Sequence, residues 1–141
     1  MLIYPRPLKR GDTIGICAPS SGVSGPYSAR LENAKKQLSD LGYNLTETAS
    51  VQSQTKLTSA PPDARAKEFI ELYFDEKVTA IIPPWGGEFC MDMLPYLPFQ
   101  EMKGTEPKWV MGFSDTSTLL FAITLNLNMA TAHGPNLLDY G

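Results

Sequence analysis

The sequence predicts an α/β domain: a parallel sheet flanked by helices, layered like a flavodoxin, with a candidate nucleophile on a strand-to-helix turn. Three observations lead there. Short apolar runs bounded by turn residues alternate along the chain with segments whose apolar residues recur every three or four positions; the first pattern is that of buried strands and the second that of helices. Strands separated by helices need crossover connections, and crossovers make parallel pairs covered on both faces. The segments richest in Gly, Ser, Pro and Asp fall where the strands end, which is where such sheets carry their functional loops.

The first strand is Thr13-Ile14-Gly15-Ile16-Cys17-Ala18, between Gly11-Asp12 and Pro19-Ser20-Ser21-Gly22. Over residues 27–41 the residues Leu31, Ala34, Leu38 and Leu41 line one helix face, and Gly42 supplies the stop. Residues 43–48 alternate as a second strand. Residues 50–60 are polar and without period, which predicts an exposed loop. A second helix follows Pro61-Pro62, where missing N–H groups cost nothing in the first turn, and its apolar side is Ala66, Phe69, Ile70 and Tyr73. The charged residues of its 63–76 stretch read as a solvated face. Residues 78–82 form a third strand, 89–97 a short helix, 108–113 a fourth strand, 116–126 a helix with Leu119, Leu120 and Ile123 apolar, and 129–132 a last strand.

Composition narrows the function classes. The chain has 141 residues, 43% hydrophobic and 19% charged, as expected of one globular domain. A net charge of -3 without a basic cluster leaves no electrostatic footprint for nucleic acid. No apolar run is long enough to span a bilayer, and the prolines at positions 5 and 7 break up the start, so no signal peptide is expected there. Cys17 and Cys90 lack metal spacing and read as buried, reduced thiols, which fits a cytoplasmic protein without metal or cofactor.

Four loops fall at strand carboxyl ends: 18–22, 83–88, 113–116 and 133–136. In the third, Gly112-Phe113-Ser114-Asp115, a serine stands between strand and helix. A turn of that kind lifts a hydroxyl above the sheet edge and aims the N–H groups of the next helix at it, which suits a nucleophile whose reaction develops an oxyanion. The hydrolase elbow has glycine on both sides of its serine; Gly112 satisfies the first position, whereas Thr116 stands at the second. The competing reading is that Ser114 or Asp115 caps the helix. The loop Pro83-Pro84-Trp85-Gly86-Gly87-Glu88 weighs toward chemistry, since paired glycines after a buried strand expose backbone N–H groups to a ligand. One of these with the N–H of Asp115 would make a two-donor oxyanion hole. Trp85 reads as a pocket wall or a core side chain, and Glu88 as a carboxylate favoured at a helix start.

These segments together resemble the LD-carboxypeptidases and microcin C7 self-immunity peptidases, the S66 serine peptidases. The resemblance runs through residues 7–16, Ala18-Pro19-Ser20-Ser21, Gly42-Tyr43, Trp85-Gly86-Gly87-Glu88, Leu94-Pro95-Tyr96-Leu97, Gly112-Phe113-Ser114-Asp115-Thr116-Ser117 and His133-Gly134-Pro135-Asn136. It implies Ser-His-Glu chemistry with Ser114 as nucleophile, Gly87 and the backbone of Asp115 as oxyanion hole, and Trp85, Gly86 and Glu88 on the substrate side. It implies further that residues 1–141 are the amino-terminal, nucleophile-bearing domain of a two-domain peptidase, with histidine and glutamate on the carboxyl-terminal domain. The substrate would be a small peptide or peptidyl nucleotide. The Trp-Gly-Gly-Glu loop, where murein-recycling members carry an Arg-Gly-Gly-Tyr type, leans to the microcin-immunity branch. A domain lacking its neighbour is expected to self-associate, and the full-length protein to form a homodimer.

Three other readings remain in view. His133, the one histidine, lies at the same predicted sheet edge as Ser114, so a self-contained triad with Asp115 or Asp139 is topologically open. A second reading is a binding domain that holds a nucleotide or anion without chemistry. A flavodoxin would need a phosphate-cradling loop at Pro19-Ser20-Ser21-Gly22, and an amidotransferase a cysteine where Ser114 stands.

Overall fold

A computed structural model describes residues 1–141. Strands β1 (Thr13–Ile16), β2 (Asn44–Glu47), β3 (Val78–Ile81), β4 (Trp109–Gly112) and β5 (Ala132–His133) alternate with helices α1 (Ser28–Asp40), α2 (Pro62–Phe74), α3 (Phe99–Met102) and α4 (Thr116–Leu127). All strand pairs are parallel, in the order β2-β1-β3-β4-β5. The chain runs outward from β1 to β2, then returns to the other side of β1 for β3. β1 is therefore the point where the strand order reverses, and the loops leaving β1 and β3 meet at the carboxyl edge, where the Ser21 N–H donates to the Gly86 carbonyl at 3.3 Å.

Both sheet faces are covered, which is why the strands read as apolar runs. On one face Leu31, Ala34 and Leu38 of α1, with Leu137 and Leu138, pack on Ile14, Ile16, Ala80 and Ile82. On the other, Phe69, Leu72 and Tyr73 of α2 and Leu119, Leu120 and Ile123 of α4 pack on Cys17, Val78, Ile81 and Val110. Each such fully buried aliphatic or aromatic side chain contributes about 1.5–3 kcal/mol relative to exposure. Helix ends follow local chemistry. Pro62 sits in the first turn of α2, and α4 stops at Asn128, in the left-handed region at φ 55°.

Four departures from the sequence reading have physical causes. Residues 50–60 are only partly an exposed loop: a 3-10 turn, Ala49–Gln52, buries Ser50 and Val51, and Ser59 is buried with its hydroxyl donating to the Ala18 carbonyl at 2.7 Å. Residues 89–97 form a 3-10 helix, Cys90–Tyr96, because Pro95 inside it denies the α-helical hydrogen bond. The last strand starts at Ala132. Residues ahead of it are bonded to the amino terminus instead, with Ile3 N–H donating to the Asn128 carbonyl (2.8 Å) and Ala130 N–H to the Ile3 carbonyl (2.7 Å). Finally, Arg65 is not on a solvated face; it is 2% exposed.

Candidate active site

Ser114 follows β4 and precedes α4 by one residue, so the chain must reverse within Phe113–Asp115. It does so by placing Ser114 at φ 60°. For a residue with a Cβ the left-handed region costs about 1–2 kcal/mol, and such strain persists where surrounding structure over-determines it. The adjoining contacts supply that. A Cβ on Gly112 would lie 2.7 Å from Thr116 Cγ2 and 2.8 Å from Asn136 Oδ1, so only glycine allows strand and helix to meet this closely. Asn136, buried, accepts from the Phe113 N–H at 3.2 Å and faces the Phe113 carbonyl through Nδ2 at 3.4 Å.

The capping reading of this turn is overturned. No side chain caps α4, and the Asp115 carboxylate points elsewhere. Its Oδ2 accepts from the Ser20 hydroxyl at 2.5 Å and from the Cys90 N–H at 2.8 Å. Asp115 thereby links the loop after β4 to the loops after β1 and β3. Ser114 is exposed at the sheet edge with a hydroxyl that has no partner within the chain.

The glycine loop lies over this serine. A Cβ on Gly86 would be 3.1 Å from both Cβ and Oγ of Ser114 and 3.2 Å from the Asp115 nitrogen. Gly87, at φ 155°, is pressed against the Ser20 and Ser21 hydroxyls, which occupy the space a Cβ would need. Neither the Gly87 nor the Asp115 N–H is consumed by a backbone hydrogen bond. A cleft of about 450 Å³ opens here, lined by Ser114, Gly86, Gly87, Trp85, Tyr27 and Arg30 among others. Trp85 is anchored by its indole N–H to the Gly22 carbonyl at 3.0 Å and packs on Tyr27 with ring centroids 5.0 Å apart. Glu88 is exposed and stands outside the lining.

His133 does not join Ser114. It is exposed, pairs along the sheet with Gly112, and is absent from the cleft walls. Its two candidate orienting carboxylates are engaged elsewhere: Asp115 as above, and Asp139 with the Asn136 N–H at 3.0 Å and Arg30 at 3.8 Å. The self-contained triad is not assembled. Cys17 and Cys90 are free and buried. Burial, reinforced by the Asp115 charge, pushes the Cys90 thiol up to about 12, which makes it a packing group rather than a nucleophile. No cluster of three His, Cys, Asp or Glu has metal-holding geometry.

Sequence reasoning missed Ser20, Tyr27, Arg30 and Asn136 as individual site residues. Ser20 and Asn136 lie in loops singled out for their position at strand ends; Tyr27 and Arg30 carried no local signal, because the fold alone swings the start of α1 over the cleft.

Residues 14–134 match the LD-carboxypeptidase N-terminal domain of the peptidase S66 family. The chain belongs to this family. A Vibrio cholerae protein described as a candidate carboxypeptidase is 31% identical over 136 residues, covering 96% of this chain and 40% of the relative. The Escherichia coli microcin C7 self-immunity protein MccF is 30% identical over 132 residues, covering 94% of this chain and 38% of that protein. Among solved structures, an MccF-like protein from Bacillus anthracis superposes with a TM-score of 0.91 at 27% identity, covering 98% of this chain and 42% of that one. An MccF mutant in complex with adenosine monophosphate superposes with a TM-score of 0.89 at 29% identity, again over 98% of this chain and 40% of the other. This S66 chain thus spans about two fifths of the length of the relatives it matches.

Proposed function

We propose that this chain is the amino-terminal, nucleophile-bearing domain of a two-domain serine peptidase that hydrolyses an amide bond in a murein LD-peptide or a microcin C7-like peptidyl or aminoacyl nucleotide. The observation that carries the reading is Ser114, held at φ 60° under the Gly86-Gly87 loop with unpaired backbone N–H groups beside it. The strain and the exposure of Ser114 support a reacting group there, since strained residues cluster at functional sites.

In the proposed reaction Ser114 Oγ attacks the scissile carbonyl carbon as a histidine takes its proton. Oxyanion charge is met by the N–H groups of Gly87 and Asp115. The same histidine returns the proton to the leaving amine, and water then releases the acyl group. Histidine and its orienting glutamate would come from the part of the protein beyond these residues, in keeping with the two-fifths coverage of the relatives. Trp85 and Tyr27 would wall the substrate. The Trp85-Gly86-Gly87-Glu88 loop favours the microcin-like substrate, as does the binding of aspartyl sulfamoyl adenosine by MccF itself. An isolated domain would be inactive and would expose the face meant for its partner domain.

The test uses the product of the full open reading frame and the 141-residue chain in parallel. A fluorophosphonate probe is expected to label the full-length protein at Ser114, hydrolysis to vanish in Ser114→Ala, and the short chain to remain unlabelled. Unchanged activity in Ser114→Ala would remove the nucleophile assignment. Stoichiometric labelling of the short chain would show that the base lies within it.

A further inference from the structure

Arg65 is one of the largest fully buried side chains in the protein, and no carboxylate bonds it. A buried guanidinium with no paired anion is expensive unless its donors are satisfied. Its partners are three backbone carbonyls from separate segments. Nε donates to Ala60 at 2.9 Å, and Nη1 donates to both Pro19 at 2.6 Å and Phe89 at 2.8 Å. Pro19 and Phe89 each precede a residue that bonds the Asp115 carboxylate: Ser20 through its hydroxyl and Cys90 through its N–H. The loops after β1 and β3 are therefore clipped together twice. Arg65 Nη1 clips them through the Pro19 and Phe89 carbonyls, and Asp115 Oδ2 through the adjoining Ser20 and Cys90, one residue from Ser114.

We propose that Arg65 is a positioning residue for the reaction at Ser114, setting the separation of the β1 and β3 loops and through them the orientation of Asp115 and its N–H; this rests on the reading of Ser114 as nucleophile. A planar fork can span carbonyls of three segments, whereas the compact ammonium of lysine offers no equivalent geometry. Charge-assisted bonds to carbonyls are stronger than neutral ones, which suits a clip that must hold loops carrying catalytic donors. Ser20, on this account, transmits the position rather than touching substrate.

Arg65→Lys and Ser20→Ala are made singly and together in the full open-reading-frame protein, with unfolding midpoints recorded. Arg65→Lys is expected to lower kcat by about 10²-fold, the scale of an ångström-sized misplacement, with KM within about threefold of the parent. Fluorophosphonate labelling of Ser114 should slow in parallel. The double variant should lose less than the product of the single losses, because both act through one linkage. A folded Arg65→Lys protein with kcat within about twofold of the parent, or fully multiplicative losses, would overturn the proposal. Amide exchange at Cys90 gives an arm independent of activity: Arg65→Lys should speed it by about tenfold or more while strand amides stay protected. Equal protection at Cys90 would refute the clip even if Ser114→Ala shows that Ser114 has no role. Should Arg65→Lys fail to fold, the unaltered protein decides: the Arg65 guanidinium NMR signals must shift when the probe occupies Ser114, and unshifted signals reject the coupling.

Discussion

A Cβ placed on Gly86 would stand 3.1 Å from the Oγ of Ser114, although the two residues lie on different loops of the sheet edge. The glycine loop after β3 is thus the roof of the serine turn after β4. Gly86 is not in the left-handed region, so alanine is conformationally permitted there. Gly86→Ala should fold with a thermal midpoint near the parent's. With Ser114 as the proposed nucleophile, the substitution should lower kcat/KM of the full-length protein by about 10²-fold by crowding the hydroxyl. Kinetics beside a melting curve check this, and near-parental kcat/KM would mean that the roof yields.

Gly112→Ala should act on stability first. Its Cβ would fall 2.7 Å from Thr116 Cγ2 and 2.8 Å from Asn136 Oδ1, both in a buried corner. Overpacking of this kind costs about 1–3 kcal/mol, read as a lower urea midpoint at unchanged m-value. Adding Thr116→Ser removes one of the two clashing atoms and should recover part of the loss. No recovery would place the strain at Asn136 alone.

Asn136→Leu tests the other side of that corner. The part-buried Phe113 N–H would lose its side-chain acceptor, and a hydrogen bond of that kind contributes about 0.5–1.5 kcal/mol. Beyond stability, the turn should loosen, so probe labelling at Ser114 in the full-length protein should slow more than in a surface control such as Lys67→Ala. Labelling equal to the control would separate Asn136 from the serine.

Acid should weaken the protein through Asp12. The Arg6 guanidinium, donating at 2.8 and 2.9 Å, and then the Lys9 N–H at 2.7 Å hold its carboxyl down to about 2, from an ordinary 3.8. A depressed folded-state value means the contribution is complete above the ordinary value and is lost as pH falls from about 4 to about 2. Urea midpoints at pH 5, 3 and 2 should fall less steeply in Asp12→Asn than in the parent, and the difference should shrink in high salt because the pair is partly exposed. Parallel slopes would exclude Asp12 as a source of acid sensitivity.

Thiol chemistry reports on the site's rigidity. With Cys17 and Cys90 buried and Cys90 pushed up to about 12, neither should release colour from Ellman's reagent in the native protein, and both should react after denaturation. Fast reaction of Cys90 would mean that the segment bonded to Asp115 opens readily.

The sequence by itself carries whatever is encoded in local spacing. The period of Leu31, Ala34 and Leu38, the β-branched run before Pro83, and the glycines around Trp85 follow from short-range sterics and from burial on a repeating face. They were enough for the parallel α/β class, for the strand-end loops and for Ser114 as the residue of interest. Local sequence could not choose between a cap and a nucleophile at Ser114, because both want a small hydroxyl residue before a helix. Tertiary structure removed the cap: no side chain caps α4, and the Asp115 carboxylate goes instead to Ser20 and Cys90, partners far away in sequence. The same holds for Arg65 and His133. A charged residue on a helix reads as solvated, yet Arg65 is buried because carbonyls of three segments converge on it. A histidine near a serine at one sheet edge reads as a possible base, yet β5 pairing leaves His133 outside the cleft. Backbone propensity is a property of neighbours in the chain; the direction of a side chain at a sheet edge depends on which loops the strand order has brought beside it.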